Sequence, residues 1–315
     1  MKKFELCLCG SGATNTGQPN CVPIGERTVG FIFFDKFDSD GNLNKIAAGD
    51  VLDAAYFTAK INETDKTKRW YPTPKISNIE DVRAEPVTFD VDGIAIIVDQ
   101  GPRTFLGNFY DKVASPQWVA VLNSRQCIDT AYFEVTASGQ LRGIIDGAGD
   151  MVGIGVETGT LNAIYVKKTK TTPQGAVLSF AVNELVRDED LVFIAAGDIG
   201  VDVKSLRGLL DVVGSNAAAT TTTDAELDLE FCYGSLRDLS KFKGGVLADF
   251  SADGGVTPAT IYNETAAANV VLSAVVESPD GHYTLTYPAQ TLNDVLIVQI
   301  VKDGYEMEPI TFTAL

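Results

Sequence analysis

Val87-Thr88-Phe89-Asp90-Val91-Asp92-Gly93-Ile94-Ala95-Ile96-Ile97-Val98 is the stretch that decides the fold class. Val87, Phe89 and Val91 alternate with polar residues, the period of a strand with one apolar face. Asp92-Gly93 then supplies the residue pair that a tight two-residue turn favours, because such turns need left-handed backbone. Residues 94–98 return as a second apolar run. The segment reads as strand, turn, strand.

The same pattern recurs on both sides of it. Residues 29–34 form a β-rich apolar run followed by the turn Ser39-Asp40-Gly41-Asn42. Residues 132–136 and 141–145 flank Ser138-Gly139, and residues 162–169 and 176–183 are joined across Thr172-Pro173-Gln174-Gly175. Helical signals are few. Ser115-Pro116 before residues 117–123 resembles an N-cap with proline at the first helical position. Residues 188–196 and 203–210 read as short helical turns, and residues 47–60 fit helix and strand equally. The expectation is a mainly β chain whose residues 1–213 form a sandwich- or barrel-like domain with one or two short helices.

Gly214-Ser215-Asn216-Ala217-Ala218-Ala219, followed by four threonines, reads as a linker over 214–223. Beyond it, short strands are expected at 226–233, 245–252, 260–262, 269–277, 282–287, 295–301 and 309–314. Seven strands at this spacing, without a Cys-Trp-Cys signature, predict an immunoglobulin-like sandwich over 224–315.

Composition narrows the function. The 315 residues are 45% hydrophobic and 21% charged, as in an ordinary globular protein, and they carry a net charge of −17. Residues 222–315 hold 14 acidic and 4 basic residues, and residues 1–221 hold 28 and 21. So acidic a chain argues against specific nucleic-acid binding. No run of 18 apolar residues is present, so no membrane-spanning helix is expected. Glu5 and the polar residues 11–20 interrupt what would be a secretion signal after Met1-Lys2-Lys3-Phe4. Synthesis and assembly inside a cell are therefore expected. Five widely spaced cysteines (Cys7, Cys9, Cys21, Cys127 and Cys232) make a poor disulfide framework and suit a reducing compartment. Cys7-Leu8-Cys9 lacks the usual zinc-knuckle spacing and a nearby histidine.

Residues that would carry chemistry are scarce. The single histidine, His282, follows a turn and reads as a solvent-exposed edge residue. Asp35, Asp38 and Asp40 lack the spacing of a calcium loop, with Lys36 at its first ligand position. Gly10-Ser11-Gly12 and Gly153-Ile154-Gly155 are not nucleotide fingerprints. Forty-two acids leave room for a carboxylate pair but provide no positive sign of one. No catalytic residue, cofactor or metal is expected, and the protein is read as non-enzymatic.

One segment stands apart. Residues 66–75 read Lys-Thr-Lys-Arg-Trp-Tyr-Pro-Thr-Pro-Lys, a basic cluster with Trp70 and Tyr71 inside it. Rigid rings beside cations are typical of protein interfaces. The competing reading is a loop that packs its Trp on its own core. Arg69, Trp70 and Tyr71, with Arg103 and Phe105 further on, are the candidate interface residues.

Two regions resemble known families. Residues 244–250 (Gly-Gly-Val-Leu-Ala-Asp-Phe), Thr257-Pro258-Ala259-Thr260-Ile261 and Gly281-His282-Tyr283-Thr284-Leu285-Thr286 resemble bacterial immunoglobulin-like domains appended to phage virion proteins. Arg69-Trp70-Tyr71-Pro72-Thr73-Pro74, residues 101–107 and Cys127-Ile128-Asp129-Thr130-Ala131-Tyr132 before Gly139-Gln140-Leu141 resemble tail tube subunits of tailed bacteriophages. The resemblance implies a virion protein made in the bacterial cytoplasm. Its copies would stack as hexameric rings around a channel that passes DNA without specific binding, touch other virion proteins and carry the immunoglobulin-like module outward. The alternatives are a head decoration protein on the capsid surface, and a virion protein contacting host-surface glycans through its C-terminal module.

Overall fold

The computed structural model describes residues 27–91, 94–99, 101–110, 116–183, 186, 190–218, 220–231, 241–252 and 256–315. Cys7, Cys9, Cys21, Cys232 and the Gly10-Ser11-Gly12 motif lie outside them. The fold is mainly β, as the alternation predicts, and divides into two compact units, Met1–Gly208 and Leu209–Leu315.

The strands of the first unit are β1 (Thr28–Asp35), β2 (Lys45–Ile46), β3 (Tyr71–Pro72), β4 (Ser77–Arg83), β5 (Val87–Val91), β6 (Ile94–Asp99), β7 (Arg103–Phe109), β8 (Thr130–Thr136), β9 (Leu141–Ile145), β10 (Met151–Val152), β11 (Ile154–Gly155), β12 (Asn162–Val166), β13 (Gly175–Ala181) and β14 (Leu191–Ile194). Helix α1 (Ala54–Ile61) follows β2, and α2 (Pro116–Ser124) follows β7. An eight-stranded sheet runs β2-β10-β9-β8-β1-β3, with β11 added to β8 and β14 to β9. A four-stranded sheet runs β12-β13-β7-β4, and β5-β6 form a separate two-stranded ribbon.

The central strands β1 and β8 are buried on both faces, which is why residues 29–34 are continuously apolar rather than alternating. One face sets Phe31, Phe33 and Tyr132 against Phe105, Leu178 and Phe180 of the four-stranded sheet. Phe31 meets Phe105, Tyr132 and Phe180 edge-on at centroid distances of 5.1–5.6 Å, the arrangement that ring quadrupoles favour. The other face packs Ile32, Phe34 and Phe133 under Phe57 of α1 and Trp70. Buried Glu134 is satisfied by Arg142 at 3.5 Å and by the Thr28 hydroxyl.

Local expectations meet mixed fates. Residues 47–60 resolve as α1, started by Asp53, whose Oδ1 accepts from the Tyr56 N–H at 2.8 Å. Residues 188–196 are mainly strand where described: Leu191–Ile194 pair with β9, because Val192 and Ile194 fill the second core, and a helical turn follows at Ala196–Asp198. In 203–210 only Val203–Ser205 make a helical turn. Asp38 accepts from the Asp40 and Asn42 N–H groups at 3.0 and 2.7 Å, closing a hairpin turn rather than holding an ion.

The second unit contains β15 (Leu210–Asn216), β16 (Asp224–Phe231), β17 (Phe250–Ser251), β18 (Thr260–Asn263), β19 (Ala268–Val271), β20 (Ala274–Glu277), β21 (His282–Thr286), β22 (Val295–Ile300), β23 (Tyr305–Met307) and β24 (Ile310–Thr313). They form two sheets, β20-β21-β16-β15-β23 and β17-β22-β18-β19 with β24 on β22, around one core containing Leu227, Phe250, Tyr283, Leu285 and Val298. This is a β-sandwich. The linker expected at 214–223 is corrected: Gly214, Ser215 and Asn216 belong to β15 and pair with Leu229, Asp228 and Leu227. A Cβ at Gly214 would lie 2.0 Å from Ile310 Cδ1, so the glycine serves close packing rather than flexibility. The division falls at Gly208–Leu209 instead. The expected strand 269–277 is also two strands, with β19 and β20 in different sheets. His282 lies on an interior strand, not an edge, with Nδ1 2.9 Å from Asp228.

Candidate assembly surface

Strands β4 and β7 pair antiparallel up to Arg83 opposite Arg103, and the same two chain segments resume as β5 and β6. Together they make one long hairpin whose distal half, β5-β6, projects as an arm: among the described residues neither strand pairs with anything but the other. At the junction the Ala84 N–H donates to the Pro102 carbonyl at 3.0 Å. Here the two backbones come so close that a Cβ on Gly101 would meet the Ala84 carbonyl oxygen at 2.1 Å.

Cross-strand register gives the arm two unlike faces. Phe89 lies opposite Ile96 and Val91 opposite Ile94, so these four share a face with Val87. All five are exposed, Phe89 at 63% and Ile94 at 68%. Thr88 and Asp90 lie on the other face. Monomeric proteins rarely expose so continuous an apolar strip, and a lone two-stranded hairpin is marginally stable in water.

The two outer strands of the four-stranded sheet differ. On β12, the Asn123 side chain takes the Ala163 N–H at 2.7 Å and donates to its carbonyl at 3.0 Å, closing that edge. Among the described residues strand β4 pairs with β7 alone, which leaves its other side an edge available for strand addition.

Beside the segment that leads into β4 lies a cleft of about 330 Å³. Its apolar part comes from Val29, Phe31, Val135 and Val203, and Arg27, Lys75 and Lys204 also line it. Pro72, Thr73 and Lys75 form one wall, in a segment tied to β1 by bonds from the Thr73 N–H to the Phe31 carbonyl and from the Ile76 N–H to the Val29 carbonyl, both 2.8 Å. No acidic residue lines the cleft. Lys204 approaches Asp202 at 3.7 Å, while Arg27 and Lys75 have no carboxylate partner among the described residues.

The five residues expected at an interface are placed differently. Trp70 is 1% exposed, packed among Phe34, Tyr56, Phe57 and Phe133. Arg69 is buried, its Nε donating to the Glu63 carbonyl at 2.6 Å. Phe105 sits in the core between the sheets. Tyr71 is half-buried beneath the Arg125 guanidinium, 4.6 Å from its ring centre, and Arg125 also pairs with Asp35. Burial pushes the Asp35 carboxyl up, opposed by Arg125. Arg103 grips Asp81 across β4–β7, with Nε 2.7 Å from Oδ1, at the base of the arm. Of the five, only Arg103 borders the arm.

No family model and no curated protein matches the chain. Among solved structures it is similar to FdeC, described as a broadly conserved Escherichia coli adhesin, at 14% identity with a TM-score of 0.20. That match covers 57% of this chain and 61% of the other. A likeness so slight carries no argument about either unit.

Proposed function

We propose that this chain is a structural subunit that assembles with copies of itself, as the tail tube subunit of a tailed bacteriophage does, and that the β5-β6 arm is its assembly element. The observation that carries the reading is the arm's uncovered apolar face. Val87, Phe89, Val91, Ile94 and Ile96 together expose far more apolar surface than an isolated chain has reason to keep in water. Cover supplied by a neighbour removes that surface, and a strand laid along the open edge of β4 would satisfy its outward backbone groups.

The contact is heterologous, because arm and receiving surface are different parts of the chain; such contacts close into rings or run on as filaments. A chain of net charge −17 also suits a channel that must not retain DNA. The second unit is then carried as a separate sandwich module.

Analytical ultracentrifugation and negative-stain electron microscopy of the purified chain test this. Rings or tubes are expected. A chain that stays monomeric at high concentration, alone and with its virion partners, sinks the reading.

A further inference from the structure

We infer that the cleft lined by Arg27, Lys75 and Lys204 is the socket for the arm of a second copy of this chain. The inference rests on the self-assembly reading above and names the receiving surface within it.

Charge selects the occupant. Residues 84–99, the distal arm, contain Glu85, Asp90, Asp92 and Asp99 and no lysine or arginine. The cleft has the opposite make-up, three cations and no acid, in a chain that is otherwise strongly acidic. A basic cleft attracts acidic surface of any kind, and its apolar floor narrows the choice to a segment that is acidic and also exposes apolar side chains, which the arm does. Size agrees: about 330 Å³ holds an aromatic side chain and a neighbour, which Phe89 and Ile96, facing each other across the ribbon, supply.

The same chain's arm cannot fill the cleft. Lys75 lines it and Ser77 begins β4, whereas the arm leaves from the other end of that strand, at Arg83. From Arg83 to Val91 it extends by roughly 3.3 Å per residue, about 26 Å in all, before it turns. An extended hairpin of that length, leaving from the far end of β4, does not bring its tip back to the cleft. The socket is left for a neighbour, and the contact is head-to-tail.

Photo-cross-linking on the full chain tests this. A benzoylphenylalanine replaces exposed Phe89, and unlabelled chains are mixed with ¹⁵N-labelled chains so that peptides joining two copies are recognised by mass. Cross-links between light and heavy chains at residues 27–32, 72–75 or 203–204 are the expected result. As a second measurement, Lys75→Glu with Lys204→Glu should raise the concentration needed for assembly about tenfold or more. Adding Glu85→Lys and Asp90→Lys to that variant should recover much of the loss. Assembly with cross-links elsewhere, or unchanged assembly in the charge-reversed cleft, overturns the socket while leaving self-assembly standing. A wild-type chain that sediments as a monomer and gives no inter-chain product removes both.

Discussion

At the scale of single residues, burial decides what a side chain is for. Trp70 stands in a basic, aromatic segment that reads as a contact surface, yet it lies 5.3 Å from the Phe133 ring centre and 5.8 Å from Phe34, inside the second core. Trp70→Ala should therefore lower stability by about 3–5 kcal/mol, the usual cost of emptying a buried aromatic site. Chemical denaturation would show this as an earlier transition for the first unit, whereas a surface ring would leave the midpoint unmoved. Gly214→Ala puts a methyl against Ile310 and Leu229 and should cost about 1–3 kcal/mol by overpacking. The transition that moves should be that of the second unit; a neutral result would return the segment to linker status. Electrostatics makes a third case. The Thr67 hydroxyl and N–H, at 2.6 and 3.0 Å, with the Ser39 hydroxyl, lower the Asp65 carboxyl to about 2. Because the folded value lies below the ordinary 3.8, the stabilisation is complete above that value and disappears as pH falls toward 2. Carbonyl ¹³C titration should place Asp65 near 2, and Thr67→Val should return it toward the ordinary value.

At the scale of elements, the arm is the part the rest of the unit does not need. Among the described residues its strands pair only with each other, and they join the body through the close approach at Gly101 and Ala84. Replacing residues 85–100 by a short turn between β4 and β7 should leave the melting of the first unit nearly unchanged while abolishing assembly; assembly that survives the deletion would refute the arm's role. Sequence reached this element by the period of Val87, Phe89 and Val91 and by Asp92-Gly93, since alternation and turn chemistry are local. It did not reach the exposure of that face, because the pattern is the same whether the cover comes from the chain itself or from another copy. The cleft was beyond local reading: Arg27, Lys75 and Lys204 meet only after β1, the segment behind β3 and a turn near residue 203 have packed together. Composition misled at 214–219, where small polar residues resemble a linker although Val212 and the pairing with β16 commit the segment to a sheet. The helical turn expected at 188–196 gives way to β14, where Leu191-Val192-Phe193-Ile194 is a β-favouring run that pairs with β9.

At the scale of the whole molecule, cores and charge divide between the two units. The first has two hydrophobic clusters, on the two faces of β1 and β8, and the second has its own. Residues 209–315 hold 15 acidic and 4 basic residues, against 27 and 21 in residues 1–208. The second unit is thus strongly self-repelling, a property that keeps isolated copies apart, whereas arm and cleft both belong to the first. A chain ending at Gly208 should consequently still assemble, with a critical concentration no higher than that of the full chain. Residues 209–315 alone should fold, because their sandwich encloses a complete core, and should sediment as monomers at any attainable concentration. The boundary matters to this experiment: cutting at 214–223, where composition suggests a linker, would sever β15 from its pairing with β16 and expose Leu227 and Leu229 behind it. Chains beginning at residue 224 should therefore be poorly folded, while those beginning at 209 show a single cooperative melt. Loss of assembly on truncation at Gly208 would show instead that contacts between second units hold the copies together, and the arm would then lose its place as the assembly element.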